Sequence, residues 1–230
     1  MAKTYTFNSQ IRSITPIPFD SSLITNAVIK NEPMLFNCDL EHALKYAGPI
    51  TKHWLNNLPK DWVDIGDTLV IDTRVHMLMP GWYPCIPGWH HDDVIRSSLT
   101  GQPDYDSEYK SEHIITLLNS DIAPTKFALG TSDFIYPEEG KIVYGEWTKE
   151  VDKQLEQGVL TSYSAPDQCL IHFDDHTWHT GVKAVKNGWR WFGRVSRYFK
   201  NDQAVFRGNP RSNEIRCQVQ VYLETPDSGW

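Results

Sequence analysis

Short runs of alternating apolar and polar residues fill most of the chain, and each run ends at a turn-forming residue. The longest run, residues 68–79, is rich in β-branched residues and ends at Pro80-Gly81, which predicts a long strand. Similar patterns predict strands at 5–8, 114–118, 126–129, 134–136, 168–173, 181–185, 189–199 and 215–223, with an extended arm at 11–19 and a turn at 163–167. Asn187-Gly188 predicts a hairpin turn between strands 181–185 and 189–199.

Helical spacing is concentrated near the start of the chain. Asp39 is placed to cap a helix that ends before Gly48-Pro49, and a second short helix is expected over 50–58. Trp54 and Leu55 are expected to pack this pair against a sheet. A third helix is predicted at 146–157, and the polar stretch 96–111 predicts a mobile loop over the site.

Many short strands with few helices predict a mainly β fold. The architecture expected is a double-stranded β-helix, which is the jelly-roll or cupin-like fold, with supporting N-terminal helices. The length of 230 residues and the absence of a repeat or linker indicate a single domain over 1–230. Within it we expect a supporting segment at 1–66, the β-helix core at 67–200, and a C-terminal strand and tail at 201–230.

Composition narrows the range of partners and compartments. The net charge of −7 argues against nucleic acid as a partner, because phosphate backbones bind to clustered basic surfaces. No apolar run is long enough to span a membrane. The four cysteines form no Cys-x-x-Cys pair and the start of the chain lacks an apolar leader, so we expect reduced thiols in a cytoplasmic protein. The sequence does not indicate an oligomeric state.

The segment Trp89-His90-His91-Asp92-Asp93 is the strongest candidate for chemistry. His90 and Asp92 are two positions apart, so on an extended backbone their side chains point the same way and can bind one metal ion. A distant histidine, His179, would complete a set of two imidazoles and one carboxylate, which is the facial triad of non-haem Fe(II) oxygenases. Spacing alone leaves the alternative register, His91 with Asp93, open.

Two segments resemble the Fe(II)/2-oxoglutarate-dependent dioxygenases, notably the branches similar to phytanoyl-CoA and taurine dioxygenases. Residues 89–92 are similar to the Trp-His-x-Asp segment of that superfamily. Residues 166–179, with Pro166-Asp167, an apolar strand and then Trp178-His179, resemble its distal-ligand segment. The resemblance covers about residues 68–200 and implies a metal centre of His90, Asp92 and His179. It also implies Fe(II), 2-oxoglutarate as cosubstrate and O2, with hydroxylation of a C–H bond and release of succinate and CO2.

The same superfamily uses a basic residue after the distal histidine to hold the distal carboxylate of 2-oxoglutarate. Arg190, Arg194 and Ser196 share one face of the strand predicted at 189–199. Arg194-Val195-Ser196 resembles the Arg-x-Ser signature of some branches, whereas Arg190 lies at the offset from the distal histidine that others use. We expect Arg194 and Ser196 to hold the carboxylate, with Arg190 as the alternative. Arg197 is expected to be a solvated residue at the rim.

Two other functions stay open at this point. His172, His176 and His179 have the spacing of one helix face, which would suit a zinc-dependent hydrolase, although residues 169–173 predict a strand. The second alternative is a non-catalytic jelly-roll binding module. The substrate, a small molecule or a peptide, cannot be identified from the sequence.

Overall fold

Antiparallel strands make up most of the computed structural model, which describes residues 3–63, 68–199 and 211–223. The strands are β1 (Thr4–Ser9), β2 (Ile11–Pro16), β3 (Met34–Phe36), β4 (Thr68–Leu78), β5 (Trp82–Tyr83), β6 (Ser111–Leu118), β7 (Thr125–Ile135), β8 (Thr161–Ser164), β9 (Cys169–Asp174), β10 (His179–Gly181), β11 (Gly188–Tyr198), β12 (Glu214–Arg216) and β13 (Tyr222–Leu223). The helices are α1 (Asn26–Lys30), α2 (Leu40–Tyr46), α3 (Pro49–Asn56), α4 (Lys60–Val63) and α5 (Val143–Glu156).

The strands form two large sheets and two small ones among the described residues. The five-stranded sheet has the order β2-β9-β6-β11-β4, and the four-stranded sheet has the order β1-β7-β10 with β8 also paired to β7. The small sheets pair β12 with β3 and β13 with β5. None of the described helices combines the length and apolar character needed to cross a membrane.

Both faces of the five-stranded sheet are buried. One face packs against the N-terminal helices, where Trp54 of α3 meets Trp191 of β11 edge to face with ring centroids 5.5 Å apart. The other face packs against the four-stranded sheet, where Phe173 of β9 and Phe127 of β7 have ring centroids 5.1 Å apart. The candidate site lies in the space between the five-stranded and the four-stranded sheet.

Local sequence explains how the N-terminal helices begin. The Asp39 carboxylate accepts a hydrogen bond from the backbone N–H of His42 at 2.7 Å, which confirms the predicted cap of α2. The buried Glu32 carboxylate accepts the N–H of Thr51 at 2.8 Å in the first turn of α3. Gly48 permits this approach, because a Cβ there would lie 2.4 Å from a Glu32 oxygen.

The mainly β class is confirmed, whereas several local predictions are wrong. The strands predicted at 126–129 and 134–136 are one strand, β7, because the polar residues between them pair with β1. Part of the turn predicted at 163–167 belongs to β8, which pairs with β7. The strand predicted at 215–223 is two short strands, β12 and β13, with different partners. The predicted segment boundaries at 66–67 and 200–201 fall on residues outside those described.

Asn187-Gly188 does not form the predicted hairpin. The strand before it, β10, covers His179–Gly181 and not the predicted 181–185, and it pairs with β7 in the four-stranded sheet. The strand after it, β11, pairs with β4 and β6 in the five-stranded sheet. The turn therefore carries the chain from one sheet to the other, and this places β10 and β11 on opposite sides of the space between them.

Trp54 tests the helix-facing core. Its side chain is fully buried against Trp191, so Trp54→Ala should lower the free energy of unfolding by about 3–5 kcal/mol. Leu99→Ala is the control, because Leu99 is 94% exposed and its loss should change stability by less than about 0.5 kcal/mol. Urea unfolding followed by tryptophan fluorescence measures both, and equal effects would contradict this account of the core.

Candidate metal centre and cavity

A pair of backbone hydrogen bonds brings two distant histidines side by side. The N–H of His90 donates to the carbonyl of His179 at 3.1 Å, and the N–H of His179 donates to the carbonyl of His90 at 3.2 Å. This isolated bridge ties the segment that follows β5 to the start of β10. The two imidazole rings consequently lie 4.5 Å apart between centroids.

Asp92 completes a three-residue cluster with these histidines. One Asp92 oxygen lies 3.3 Å from His179 Nε2, and the other lies 3.9 Å from His90 Nε2. One ligand atom from each of the three residues falls within 4.8 Å of the others. Within the described part of the chain, this is the one group of three or more His, Cys, Asp or Glu side chains close enough to share a metal ion.

Backbone carbonyls orient both imidazoles. His90 Nδ1 lies 3.0 Å from the Gly88 carbonyl, and His179 Nδ1 lies 2.9 Å from the Thr177 carbonyl. A carbonyl can only accept, so each Nδ1 carries the proton and each Nε2 presents its lone pair to the cluster. Burial lowers the pKa of His90 to about 4, so its ring is neutral at neutral pH. Both rings therefore direct Nε2 towards the cluster, and the His90 ring is in the neutral form that binds a metal ion.

Helix α5 fixes the segment that carries the first two cluster residues. The N–H of Trp89 donates to the Thr148 hydroxyl at 2.9 Å, and the indole N–H donates to the Asp152 carboxylate at 2.8 Å. The indole is buried against the core of α5. These contacts hold the residue before His90 in place, and they involve none of the three cluster side chains.

The alternative register has other partners. The His91 ring turns away from the cluster, where it stacks on Trp178 at 3.7 Å and its Nδ1 lies 2.7 Å from the Tyr105 hydroxyl. The Asp93 carboxylate accepts a hydrogen bond from the Tyr198 hydroxyl at 2.6 Å. The structure thus brings His90 and Asp92, and not His91 and Asp93, to His179.

Arg194 already has two carboxylate partners. Its guanidinium lies 2.6 Å from Asp92 and 3.1 Å from Asp72, which faces it across the β4–β11 pair. Burial alone would raise the pKa of Asp92, but the Arg194 charge and the contacts with His179 and His90 together hold that pKa well below its usual range. The Ser196 hydroxyl is paired with His113 Nδ1 at 3.0 Å. Neither predicted cosubstrate ligand is therefore free of protein partners.

Arg190 is in the opposite situation. It is 2% exposed, lines the cavity, and donates to the Thr125 hydroxyl at 3.1 Å. Among the described residues no carboxylate lies within salt-bridge distance of its guanidinium, and its Nε has no hydrogen-bond partner. Burial lowers its pKa to about 10, so it keeps its charge at neutral pH. A buried cation of this kind is costly unless an anionic ligand offsets it.

The cluster of His90, Asp92 and His179, called the metal cluster below, opens into a cavity of about 750 Å³ between the two sheets. Asp72, Arg74 and His76 line it from alternate positions of β4. Burial and the neighbouring arginine charges lower the pKa of His76 to about 3, so that ring is neutral. Asp72 and Arg74 were not among the predicted site residues, although polar residues at every second position of an apolar strand were a usable signal.

Other predicted residues lie elsewhere. His172 is on β9 beside Trp62, and His176 packs on Phe7, so the zinc site of His172, His176 and His179 is not assembled and that prediction is wrong. Arg197 is also not a solvated residue, because it is 8% exposed and paired with Glu112.

The loop predicted over the site lies in a different place. Residues 96–110 do form a loop, but none of them lines the cavity. Tyr105 ties the loop to the Tyr144 hydroxyl at 3.0 Å, and Tyr109 is buried. Residues 215–220 and Tyr222 line the cavity instead. The predicted lid is therefore not supported at 96–111.

Comparisons with known proteins find remote similarity to solved structures. No protein-family model and no curated protein matches the chain. The structure is similar to HygX from Streptomyces hygroscopicus with nickel and 2-oxoglutarate bound, at 9% identity and a TM-score of 0.48, over 87% of this chain and 90% of that one. The iron-bound structure of HygX gives 10% identity and a TM-score of 0.44 over the same shares. Values this low transfer no activity, and the function has to be inferred from the site.

The two cavity arginines should differ in their effect on stability. Arg194→Met leaves Asp72 and Asp92 buried without their cation, which should lower the free energy of unfolding by about 3–5 kcal/mol. Arg190→Met removes a buried charge that has no carboxylate partner among the described residues, so stability should be unchanged or higher. Urea unfolding of the metal-free protein measures both variants. A larger loss in Arg190→Met would show that Arg190 is the structural cation.

Proposed function

We propose that this chain is an Fe(II)- and 2-oxoglutarate-dependent dioxygenase that hydroxylates a C–H bond of a small molecule. The observation that carries the proposal is the convergence of His90, Asp92 and His179 on a cavity that also contains the buried cation Arg190. The two facing sheets are consistent with a double-stranded β-helix. In it, the backbone bridge between His90 and His179 brings the two histidines together.

The donor set fits Fe(II). Two neutral imidazoles and one carboxylate on one side of a metal ion leave the remaining positions open, as in non-haem iron oxygenases. Structural zinc sites are closed by four protein ligands, and no fourth His, Cys, Asp or Glu belongs to the cluster among the described residues. With 2-oxoglutarate and O2, iron held here would supply oxidation of a substrate C–H bond, with release of succinate and CO2.

Arg190 is the better candidate for the distal carboxylate of 2-oxoglutarate. Its fork can bind a carboxylate bidentately, and the Thr125 hydroxyl beside it adds a hydrogen-bonding group. Arg194, four positions along β11, is about 13 Å farther along an extended strand and is already paired with Asp92 and Asp72. We therefore assign Arg194 to orienting Asp92, and we prefer Arg190 over the Arg194–Ser196 pair as the cosubstrate ligand.

The surrounding residues keep the metal cluster dry and define the size of the substrate. His90 and His179 are each 6% exposed, and apolar side chains such as Ile115 and Phe192 line the cavity beside them. Exclusion of water strengthens the electrostatic contacts within the site and limits side reactions. A cavity of about 750 Å³ is of the size that holds small-molecule ligands. We therefore favour a small molecule over a peptide as the substrate.

Iron binding tests the metal centre. His179→Ala should weaken Fe(II) binding by more than about 100-fold, beyond the usual effect of losing an outer-shell partner. His91→Ala is the matched control, since that ring lies beside the cluster but points away from it, and it should retain Fe(II). Anaerobic titration with Fe(II) measures both. Retention of iron by His90→Ala together with its loss in His91→Ala would move the ligands to the alternative register.

Cosubstrate binding tests the arginine assignment. Truncating one partner of a buried charge pair costs about 2–5 kcal/mol, which is roughly a 30-fold to several-thousand-fold loss of affinity. Arg190→Met should weaken 2-oxoglutarate binding by that amount and leave Fe(II) binding unchanged. Calorimetry on the anaerobic Fe(II) protein measures the affinity for 2-oxoglutarate. Ser196→Ala is the control, and its affinity should be nearly that of the wild type. If neither iron nor 2-oxoglutarate binds the wild type, a non-catalytic module becomes the better explanation.

A further inference from the structure

Arg74 is a third arginine in the cavity and has no role in the proposed metal or cosubstrate sites. It lies on β4 between Asp72 and His76 on the face that lines the cavity, and it is paired in register with Phe192 of β11. Its guanidinium lies over the Phe36 ring at 5.5 Å. Because side chains alternate between the two faces of a strand, the position of Arg74 places its side chain at the wall of the cavity.

Arg74 lacks a carboxylate partner in the part of the chain that the structure describes. The hydrogen bond it donates there is to the backbone carbonyl of the adjacent Thr73, at 3.2 Å. The other cationic side chain at this end of the cavity, Arg216, is paired with Glu214 at 3.0 Å. Arg74 is therefore the cavity arginine that forms an ion pair neither with a carboxylate of the described residues nor with the proposed cosubstrate.

The surroundings of Arg74 are unfavourable for a cation on its own. Burial is the largest cause, and it lowers the pKa of Arg74. Asp72 raises this pKa, whereas the charges of Arg194 and Arg216 lower it, and the net effect is a lowered pKa. Like charges gathered at the wall of one cavity raise the potential there and attract an anion. An anionic ligand would offset the cost of burying this cation, which Asp72 offsets only in part.

The charges of the loaded site indicate where such an anion belongs. Iron would be balanced by Asp92 together with the metal-binding carboxylate of 2-oxoglutarate, and the distal carboxylate would be balanced by Arg190. Arg194 is balanced by Asp72, and Arg216 by Glu214. Among the residues that line the cavity, Arg74 is the one whose positive charge this balance leaves over.

We propose that Arg74 binds an anionic group, a carboxylate or a phosphate, on the small-molecule substrate. This inference rests on the proposed function for the identity of the cavity as the substrate site. The planar guanidinium binds either group through two parallel hydrogen bonds, so both groups share the chemistry that Arg74 recognises.

Binding of simple anions tests the proposal. The probes are propionate and inorganic phosphate, with neutral propionamide as the uncharged control. They are titrated into the anaerobic protein loaded with Fe(II) and 2-oxoglutarate, and the concentration dependence of Tm gives each Kd. Propionate or phosphate should stabilise the wild type and propionamide should not. The anion that binds more tightly identifies the group on the substrate.

Substitutions at Arg74 provide the decisive comparison. Arg74→Gln should weaken anion binding by about tenfold or more, which is the loss of at least one charge-assisted contact, whereas Arg74→Lys should recover part of it. Arg74→Met keeps the aliphatic stem and serves if the glutamine variant fails to fold. Arg96→Gln is the matched control, because Arg96 is an exposed arginine outside the cavity lining and should bind the probes as the wild type does.

Three results would overturn the proposal. Anion binding that is equal in wild type and Arg74→Gln would show that the probes bind elsewhere. Loss of 2-oxoglutarate binding in Arg74→Gln would make Arg74 part of the cosubstrate site. Absence of anion binding to the loaded wild type would exclude the site. If the protein binds neither Fe(II) nor 2-oxoglutarate but still binds the probes through Arg74, the proposed enzyme function fails and an anion site in the cavity stands.

Discussion

The candidate site depends on the ion-paired bridge that Arg194 makes between Asp92 and Asp72. Asp92 lies on an irregular segment, where the backbone bridge to His179 fixes the neighbouring His90 but not the carboxylate itself. Arg194 comes from the middle of β11, which is paired on both sides within the five-stranded sheet. A rigid strand therefore sets the position of a residue on a loop. Without that cation, two carboxylates would be buried at the same point, and repulsion would favour protonation over metal binding.

Local spacing predicted only part of the metal cluster, because the choice of His90 and Asp92 over His91 and Asp93, and of His179 as the third residue, came from the resemblance to the dioxygenases. His90 and Asp92 are two residues apart on extended backbone, so their alternation alone places both side chains on one side. The long strand β4 and the cap of α2 were predictable for the same reason, since period and capping are properties of neighbouring residues. The pairing of β10 and β11 was not, because Asn187-Gly188 has the sequence of a hairpin turn whether or not its flanking strands pair.

The roles of the arginines depend on contacts between segments far apart in sequence. Arg190 and Arg194 share a face of β11, so the alternation of the strand does not distinguish their roles. What separates them is Asp72, more than a hundred residues earlier, which faces Arg194 in register and leaves Arg190 opposite the neutral His76. Nothing in the sequence near either arginine records this pairing. The alternation of Asp72, Arg74 and His76 in β4 was visible, but its meaning depends on knowing that β4 lies next to β11.

The cavity combines two kinds of arginine, and they have opposite consequences for stability. Arg194 is offset by protein carboxylates and stabilises the fold, whereas Arg190 and Arg74 carry charges that the described part of the protein does not pair. A fold optimised for stability alone would replace those two with apolar residues of similar size. Cationic side chains at such positions are explained if binding of ligands, and not folding, is what offsets their charge. The ligand-free protein is then less stable than the same fold would be with apolar residues at these two positions. Binding of anionic ligands offsets the two charges and recovers this stability. Such a loss of stability in the free protein is common at binding sites.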